Sequence, residues 1–134
     1  MKLIVVDASA LAEYLLGTTR AGAIAETITS TDVDLNIPYL CDVEVAAVLR
    51  RGALSGRLTR ARVAEALVDY LDLPVIRHPH ERLLARVLEL RLNFSAYDAI
   101  YAALAEHLQG ELLTADRALA RAVRRHLSVP ITVT

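Results

Sequence analysis

KLIVVDASALAEYLLG, residues Lys2 to Gly17, is the stretch that decides how this chain folds. From Lys2 to Val6 it is a short, continuous apolar run with no polar alternation. That is the pattern of a strand buried on both faces, as in a parallel sheet. A helix opens at Asp7-Ala8-Ser9, with Ser9 expected as its cap, and runs to about Leu16, where Gly17 stops it. A strand that passes directly into a helix leaves Asp7 at the strand's carboxyl end.

The same alternation recurs along the chain. Ala21 to Thr29 reads as a helix, and Asp34 to Pro38 as a second strand with a proline at its exit. Tyr39 to about Ala53 is helical, because Leu40, Val43, Ala47, Leu49 and Leu54 recur near helical spacing; Gly52 and Gly56 punctuate its end. Thr59 to Leu71 is a helix, Leu73 to Arg77 a third strand, and Pro79 to Leu92 another helix. Ser95 caps a helix running from Ala96 through the apolar stretch YDAIYAALAEHL. Glu111 to Thr114 is a fourth strand, Asp116 to His126 a helix and Ile131 to Val133 a fifth strand. Strands alternating with helices predict an α/β protein: a three-layer α/β/α sandwich around a parallel, roughly five-stranded sheet. No repeat, low-complexity tract or linker divides residues 1–134, so one domain is expected.

Composition bounds the interior and the compartment. The sequence is 54% hydrophobic but has only five Tyr, one Phe and no Trp, so the core must be aliphatic. No apolar run approaches the ~20 residues of a membrane helix, and the short apolar start is too brief for a signal peptide. Cys41 is the single cysteine; it can form no internal disulfide, reads as core packing, and suits a reducing cytoplasm. A net charge of −1 says little about partners. Lys2 is the only lysine; the other basic residues are arginines, which suit bidentate phosphate contact, although a GC-rich genome imposes the same bias.

Four acids fall where ligands bind in open parallel sheets, beyond the carboxyl ends of the strands. Asp7 follows the first strand, and Asp116 lies two residues past the fourth. Glu44 and Asp98 lie in the first turns of helices that begin at that same edge. Taken singly, each acid has a plain explanation as a helix cap or a dipole partner; Ser95-Ala96-Tyr97-Asp98 even fits a capping box. Capping does not require acids gathered at one edge without bases, where like charges repel unless a cation neutralises them. His78, His80, His107 and His126 show no spacing typical of zinc. His78-Pro79-His80 reads as a loop, and the other two as solvated helix faces. Oxygen-only ligation therefore points to Mg²⁺ or Mn²⁺, and such a cluster commonly serves phosphate chemistry.

Asp7-Ala8-Ser9 after a first strand, Glu44 in YLCDVEVAAVL, Asp98 in YDAIYAALA and Asp116 in LLTADRALA together resemble the PIN domain, and most closely its VapC-like toxins. The resemblance spans nearly the whole chain. It implies an α/β/α endoribonuclease dependent on Mg²⁺ or Mn²⁺, the toxin of a toxin–antitoxin pair. It places Asp7, Glu44, Asp98 and Asp116 in the catalytic, metal-holding cluster. Asp7 and Asp98 would ligate most directly, Asp116 directly or through water, and Glu44 would orient a water or help hold a second ion. Ser9 and Thr114 match polar positions beside the cluster and are carried, with Arg117, as substrate-binding candidates.

Partners follow from the same likeness: RNA, a cognate antitoxin laid along an apolar groove, and a second copy in a homodimer, with no membrane. Leu11, Tyr14, Leu15, Leu49 and Leu54 form such a groove or are ordinary core. Arg117, Arg121, Arg124 and Arg125 share the helix after Asp116; phosphate contact competes there with a solvated amphipathic face, as it does for Arg50 and Arg51. A receiver domain would need a lysine on a late strand, and a haloacid-dehalogenase-like phosphatase a second aspartate at Ser9. The remaining alternative is a catalytically silent PIN-like module that only binds a partner or RNA.

Overall fold

A computed structural model of the chain describes residues 1–133. Five strands form one sheet: β1 (Lys2–Val6), β2 (Val33–Pro38), β3 (Val75–His78), β4 (Glu111–Thr114) and β5 (Ile131–Val133). Their order is β3-β2-β1-β4-β5, and every neighbouring pair is parallel. The helices are α1 (Ala8–Leu16), α2 (Ala21–Ile28), α3 (Leu40–Leu54), α4 (Arg60–Asp72), α5 (Leu84–Glu89), α6 (Ala96–Leu108) and α7 (Arg117–His126). Right-handed crossovers put α1–α4 on one face and α5–α7 on the other. The packing agrees: α1 lies against α2, α3 and α4, while α6 lies on α5 and crosses β1, β2 and β4. This is the expected three-layer sandwich.

β1 is central because its apolar run is covered on both faces. Ile4, Val5 and Val6 are buried, with Ile4 paired to Leu35 of β2 and Glu111 of β4. α6 buries seven consecutive residues, Ala99 to Ala105, and four of them are alanines, which lets the helix lie close to the sheet. Gly110 allows β4 to come alongside β1, since a Cβ there would stand 2.9 Å from the Leu3 carbonyl oxygen. Cys41 is fully buried, while His107 and His126 lie on exposed helix faces, as expected. Leu11, Leu15 and Leu49 are core, leaving of the expected groove residues only partly buried Tyr14 and exposed Leu54 on the surface. Among the described residues no helix is long and apolar enough to cross a membrane.

Three local expectations are corrected. Asp7, not Ser9, caps α1: its backbone is extended and its Oδ1 accepts from Ala10 N at 3.0 Å, while Ser9 already lies inside the helix. The third strand runs Val75–His78 rather than Leu73–Arg77, because Pro74 has no N–H for a ladder and pairing starts at Leu35 opposite Val75. Pro79 to Leu92 is not one helix but a 3₁₀ turn (Glu81–Leu83) followed by the short α5. The apolar period was real, since Leu83, Val87, Leu90 and Phe94 are all buried. What interrupts it is His80, whose Nε2 accepts from Leu40 N at 2.8 Å and so caps α3, holding its own segment outside a helix.

From β1 the chain moves outward to β2 and β3, then returns past β1 to β4 and β5. The order reverses between β1 and β4, and the crevice beyond their carboxyl ends is where such sheets bind ligands.

Candidate active site

Asp7 stands at the mouth of that crevice. It is 4% exposed and makes a backbone bond from its own N–H to Leu113 O at 3.1 Å. Its Oδ1 accepts from Ser9 Oγ at 2.6 Å and from Ala10 N, and its Oδ2 accepts from Thr114 Oγ1. A carboxylate offers about four acceptor positions, so Asp7 is rigidly held yet keeps one lone pair of Oδ2 for another partner. Burial pushes its pKa up, against the Ser9 and Thr114 hydroxyls and the Ala10 N–H, and the nearby charge of Asp116 pushes the same way as burial.

Asp116 enters from the loop after β4. Its N–H donates to Thr114 Oγ1 at 2.9 Å, and its Oδ1 caps α7 by accepting from Ala118 N and Leu119 N at 2.9 and 3.1 Å. Its second carboxylate oxygen is left for the crevice. Asp98, half-buried near the start of α6, faces the same charge: burial and then Asp116 raise its pKa, and the Ser95 hydroxyl only partly opposes them. Ser95 Oγ caps α6 by accepting from Asp98 N at 3.1 Å, but no bond returns from Ser95 N to the Asp98 carboxylate. The capping box is therefore half made: the Ser95 hydroxyl lies near the Asp98 carboxylate, but the Ser95 N–H does not bond it.

Glu44 is held apart from these three. Its Oε1 accepts from the hydroxyl of Tyr101 at 2.6 Å. Cys41 joins the two halves of the site: burial pushes its thiol up to about 11, the Tyr101 and Tyr70 hydroxyls pull it down, and the charges of Asp7 and Glu44 both add to the rise. All four expected acids thus share one neighbourhood at the sheet's carboxyl edge. As they stand they are not drawn into one coordination sphere; among the described residues no three Asp, Glu, His or Cys side chains lie close enough to hold an ion. Tyr101 holds Glu44 on the α3 side of this neighbourhood.

The donor set itself suits a hard divalent cation. The ion pairs among the described residues join Lys2 to Glu111, Arg62 to Glu65, Arg77 to Asp42, and Arg86 to Glu89 and Glu106. None reaches Asp7, Glu44, Asp98 or Asp116. Uncompensated oxygen ligands, two of them with raised pKa, fit Mg²⁺ or Mn²⁺.

The substrate-binding candidates divide. Thr114 is fully buried, with its hydroxyl spent on Asp7, and Ser9 bonds Asp7 while accepting from Ala115 N at 3.0 Å. Their placement orients Asp7 rather than reaching a substrate. Arg117 is exposed beside Asp116. Two residues were missed from the sequence. Tyr101 could have been found from its three-residue spacing to Asp98, which puts both on one face of α6. Arg20, whose Nη1 donates to Ala115 O at 3.4 Å, carried no local signal, since only tertiary folding brings it to the loop after β4.

With this geometry in hand, the likeness to known proteins is specific. A family profile described as PIN domain matches residues 4–125. Ribonuclease VapC9 of Mycobacterium tuberculosis is 45% identical over 116 residues, which cover 85% of this chain and 86% of that protein. The crystal structure of Mycobacterium tuberculosis VapC20, described as a sarcin-ricin loop cleaving toxin, superposes with a TM-score of 0.69 at 19% identity, covering 89% of this chain and 94% of that one. VapBC2 from Rickettsia felis, bound to a DNA fragment from their promoter, gives 0.68 at 9% identity, with 98% of each chain covered. The two structures speak to fold alone; the family match and the 45% relative speak to descent. Sheet order, crevice and sequence agree, and the chain belongs to the PIN domain family.

Proposed function

We propose that this chain is a divalent-metal-dependent endoribonuclease and the toxin of a toxin–antitoxin pair. The observation that carries the chemistry is a set of four carboxylates at the sheet's carboxyl edge with no arginine or lysine among the described residues paired to any of them. RNA as substrate is supported by the VapC ribonuclease relative. The toxin role and its antitoxin partner are inferred from kinship with that VapC relative.

A divalent cation supplies Lewis-acid polarisation of phosphoryl oxygens and makes water a usable nucleophile at neutral pH. Asp7, Asp98 and Asp116 are the residues that would hold it, and Mg²⁺ or Mn²⁺ is the ion their hard oxygens prefer. Ser9 and Thr114 keep the Asp7 carboxylate from rotating. Glu44, its carboxylate held by Tyr101, would accept a hydrogen bond from the attacking water. Arg117 lies where a guanidinium can meet a phosphate next to the scissile one.

The experiment is direct. Purified protein, freed of any partner, cuts RNA with Mg²⁺ or Mn²⁺ and stops in EDTA. Cleavage that persists undiminished in EDTA removes the mechanism. Expressed alone in bacteria, the chain slows growth and its Asp7→Ala form does not; equal arrest by both would separate toxicity from catalysis.

A further inference from the structure

We propose that Tyr101 is the positioning residue of Glu44 and fixes how the fourth acid presents its carboxylate to the site. The inference rests on the reading of Glu44 as part of an RNA-cleaving centre. Tyr101 stands one turn after Asp98 on α6, so the two side chains leave the same face of the helix. Asp98 faces Asp116, and Tyr101 reaches across to α3, where its hydroxyl donates to Glu44 Oε1 at 2.6 Å. One helix face thus serves two acids, one by carrying the carboxylate and one by holding it.

Within the seven consecutive buried residues of α6, Tyr101 carries the only polar side chain. It is 2% exposed, and Glu44 is the acceptor of its hydroxyl among the described residues. A buried donor whose acceptor leaves is penalised, so the tyrosine favours the one Glu44 rotamer that meets it. Glu44, only partly buried on a long flexible stem, would otherwise sample rotamers in solvent. Cys41, fully buried three residues before Glu44 on the same face of α3, lies beside the Tyr101 hydroxyl. A phenylalanine would fill the core equally well; the hydroxyl is what Glu44 needs. The bond fixes the carboxylate through Oε1, and Oε2 accepts no hydrogen bond among the described residues.

The test compares the parent chain, Tyr101→Phe, Glu44→Ala and the double variant on one RNA with saturating Mn²⁺, and melts each in EDTA and in Mn²⁺. Tyr101→Phe lowers kcat about tenfold, the share of a hydrogen bond to a charged group, with KM for RNA unchanged within about twofold. In the Glu44→Ala background the same substitution changes kcat by less than about twofold, because nothing remains to position. The Mn²⁺-induced melting shift of Tyr101→Phe matches that of the parent, since Asp7, Asp98 and Asp116 are untouched. Equal losses in both backgrounds would mean a general structural role, and an unchanged kcat for Tyr101→Phe in the otherwise parental chain would mean no positioning; either overturns the proposal. A parent chain that cuts no RNA removes the proposed function instead. The melts in EDTA then still read the pair: Tyr101→Phe lowers the melting temperature when Glu44 is present and does not when it is Ala. If Tyr101→Phe fails to fold, Glu44→Asp replaces it, withdrawing the carboxylate by one methylene while keeping the charge. It loses about tenfold in kcat by the same reasoning, and full activity would overturn the proposal.

Discussion

Two acidic regions lie a few residues apart on this protein, and they are built in opposite ways. On the flank of α3, Asp42 receives both carboxylate contacts from Arg77 Nε at 3.0 and 3.1 Å and a third from Tyr70 OH at 2.6 Å. Burial alone would raise its pKa, but the bonds from Arg77 and Tyr70 and the Arg77 charge outweigh it and hold the carboxyl below its ordinary range. In the crevice over β1 and β4, Asp7 and Asp98 are given no base, and burial together with Asp116 pushes both upward. A carboxylate that only supports the fold comes with its own cation. A carboxylate left without one, in company with others, suits the metal-holding role proposed for it.

The largest expected effect tests that contrast at its centre. Asp98→Asn keeps the shape of the side chain and loses the charge, and RNA cleavage falls by about 10²–10³-fold, the usual cost of removing one charge-stabilising group. Its melting temperature in EDTA stays level or rises, because like-charge repulsion is relieved. A mutant that melts lower in EDTA and still cuts RNA would make Asp98 a capping acid and erase the difference between the two regions.

Metal itself sharpens the comparison. A ligand that binds only the folded state at 100 times its Kd stabilises by about 2.7 kcal/mol. Saturating Mn²⁺ should therefore raise the melting temperature of the parent by several degrees and that of Asp98→Asn by clearly less. Asp42→Asn should show the full shift, since its carboxylate serves Arg77. A shift lost equally in both variants would mean the ion binds elsewhere.

Acidity should separate the regions by sign in metal-free protein. Asp98 has a folded pKa above the ordinary 3.8, so its contribution is most favourable below that value and is lost as pH rises through the folded pKa. Asp42 has a folded pKa below 3.8, so its contribution is present above that value and is lost as pH falls through the folded pKa. Melts in EDTA between acid and neutral pH should show Asp98→Asn flattening the decline toward neutrality. Asp42→Asn should cost about 1 kcal/mol at neutral pH, a modest figure because the ion pair is partly exposed, and should soften the loss of stability in acid. The same sign for both variants would break the comparison.

The smallest effect concerns Arg117. Arg117→Ala should weaken RNA binding several-fold and reduce the slope of affinity against salt by about one phosphate contact. The Mn²⁺ melting shift should not change. A fall in metal affinity as large as the fall in RNA affinity would move Arg117 from the substrate to the metal site.

The order of strands and helices was readable because the periods are strong. The apolar run of β1 has no alternation, and α6 is long and buried through seven consecutive residues. The segment from Pro79 to Leu92 misled for an instructive reason: its apolar period survives as burial, but His80 is drawn away to cap α3 forty residues earlier in the chain. The cap of α1 was misassigned by two residues because Asp7 and Ser9 are both good capping types, and only the extended backbone at Asp7 chooses between them.

By itself the sequence determined that four acids follow strands or open helices at one edge of a parallel sheet, because chain direction alone sends every such position to the carboxyl end. It also determined that no histidine or cysteine pattern competes for the metal. Only the tertiary structure decided which of those acids go unpaired. Arg77 is thirty-five residues from Asp42, and Thr114 is 107 residues from Asp7. It also brought the Thr114 hydroxyl onto Asp7, and Tyr101 onto Glu44 across 57 residues. Hydrogen bonds and charge compensation act over a few ångströms of space, and spacing along the chain does not encode them once the partners lie on different elements.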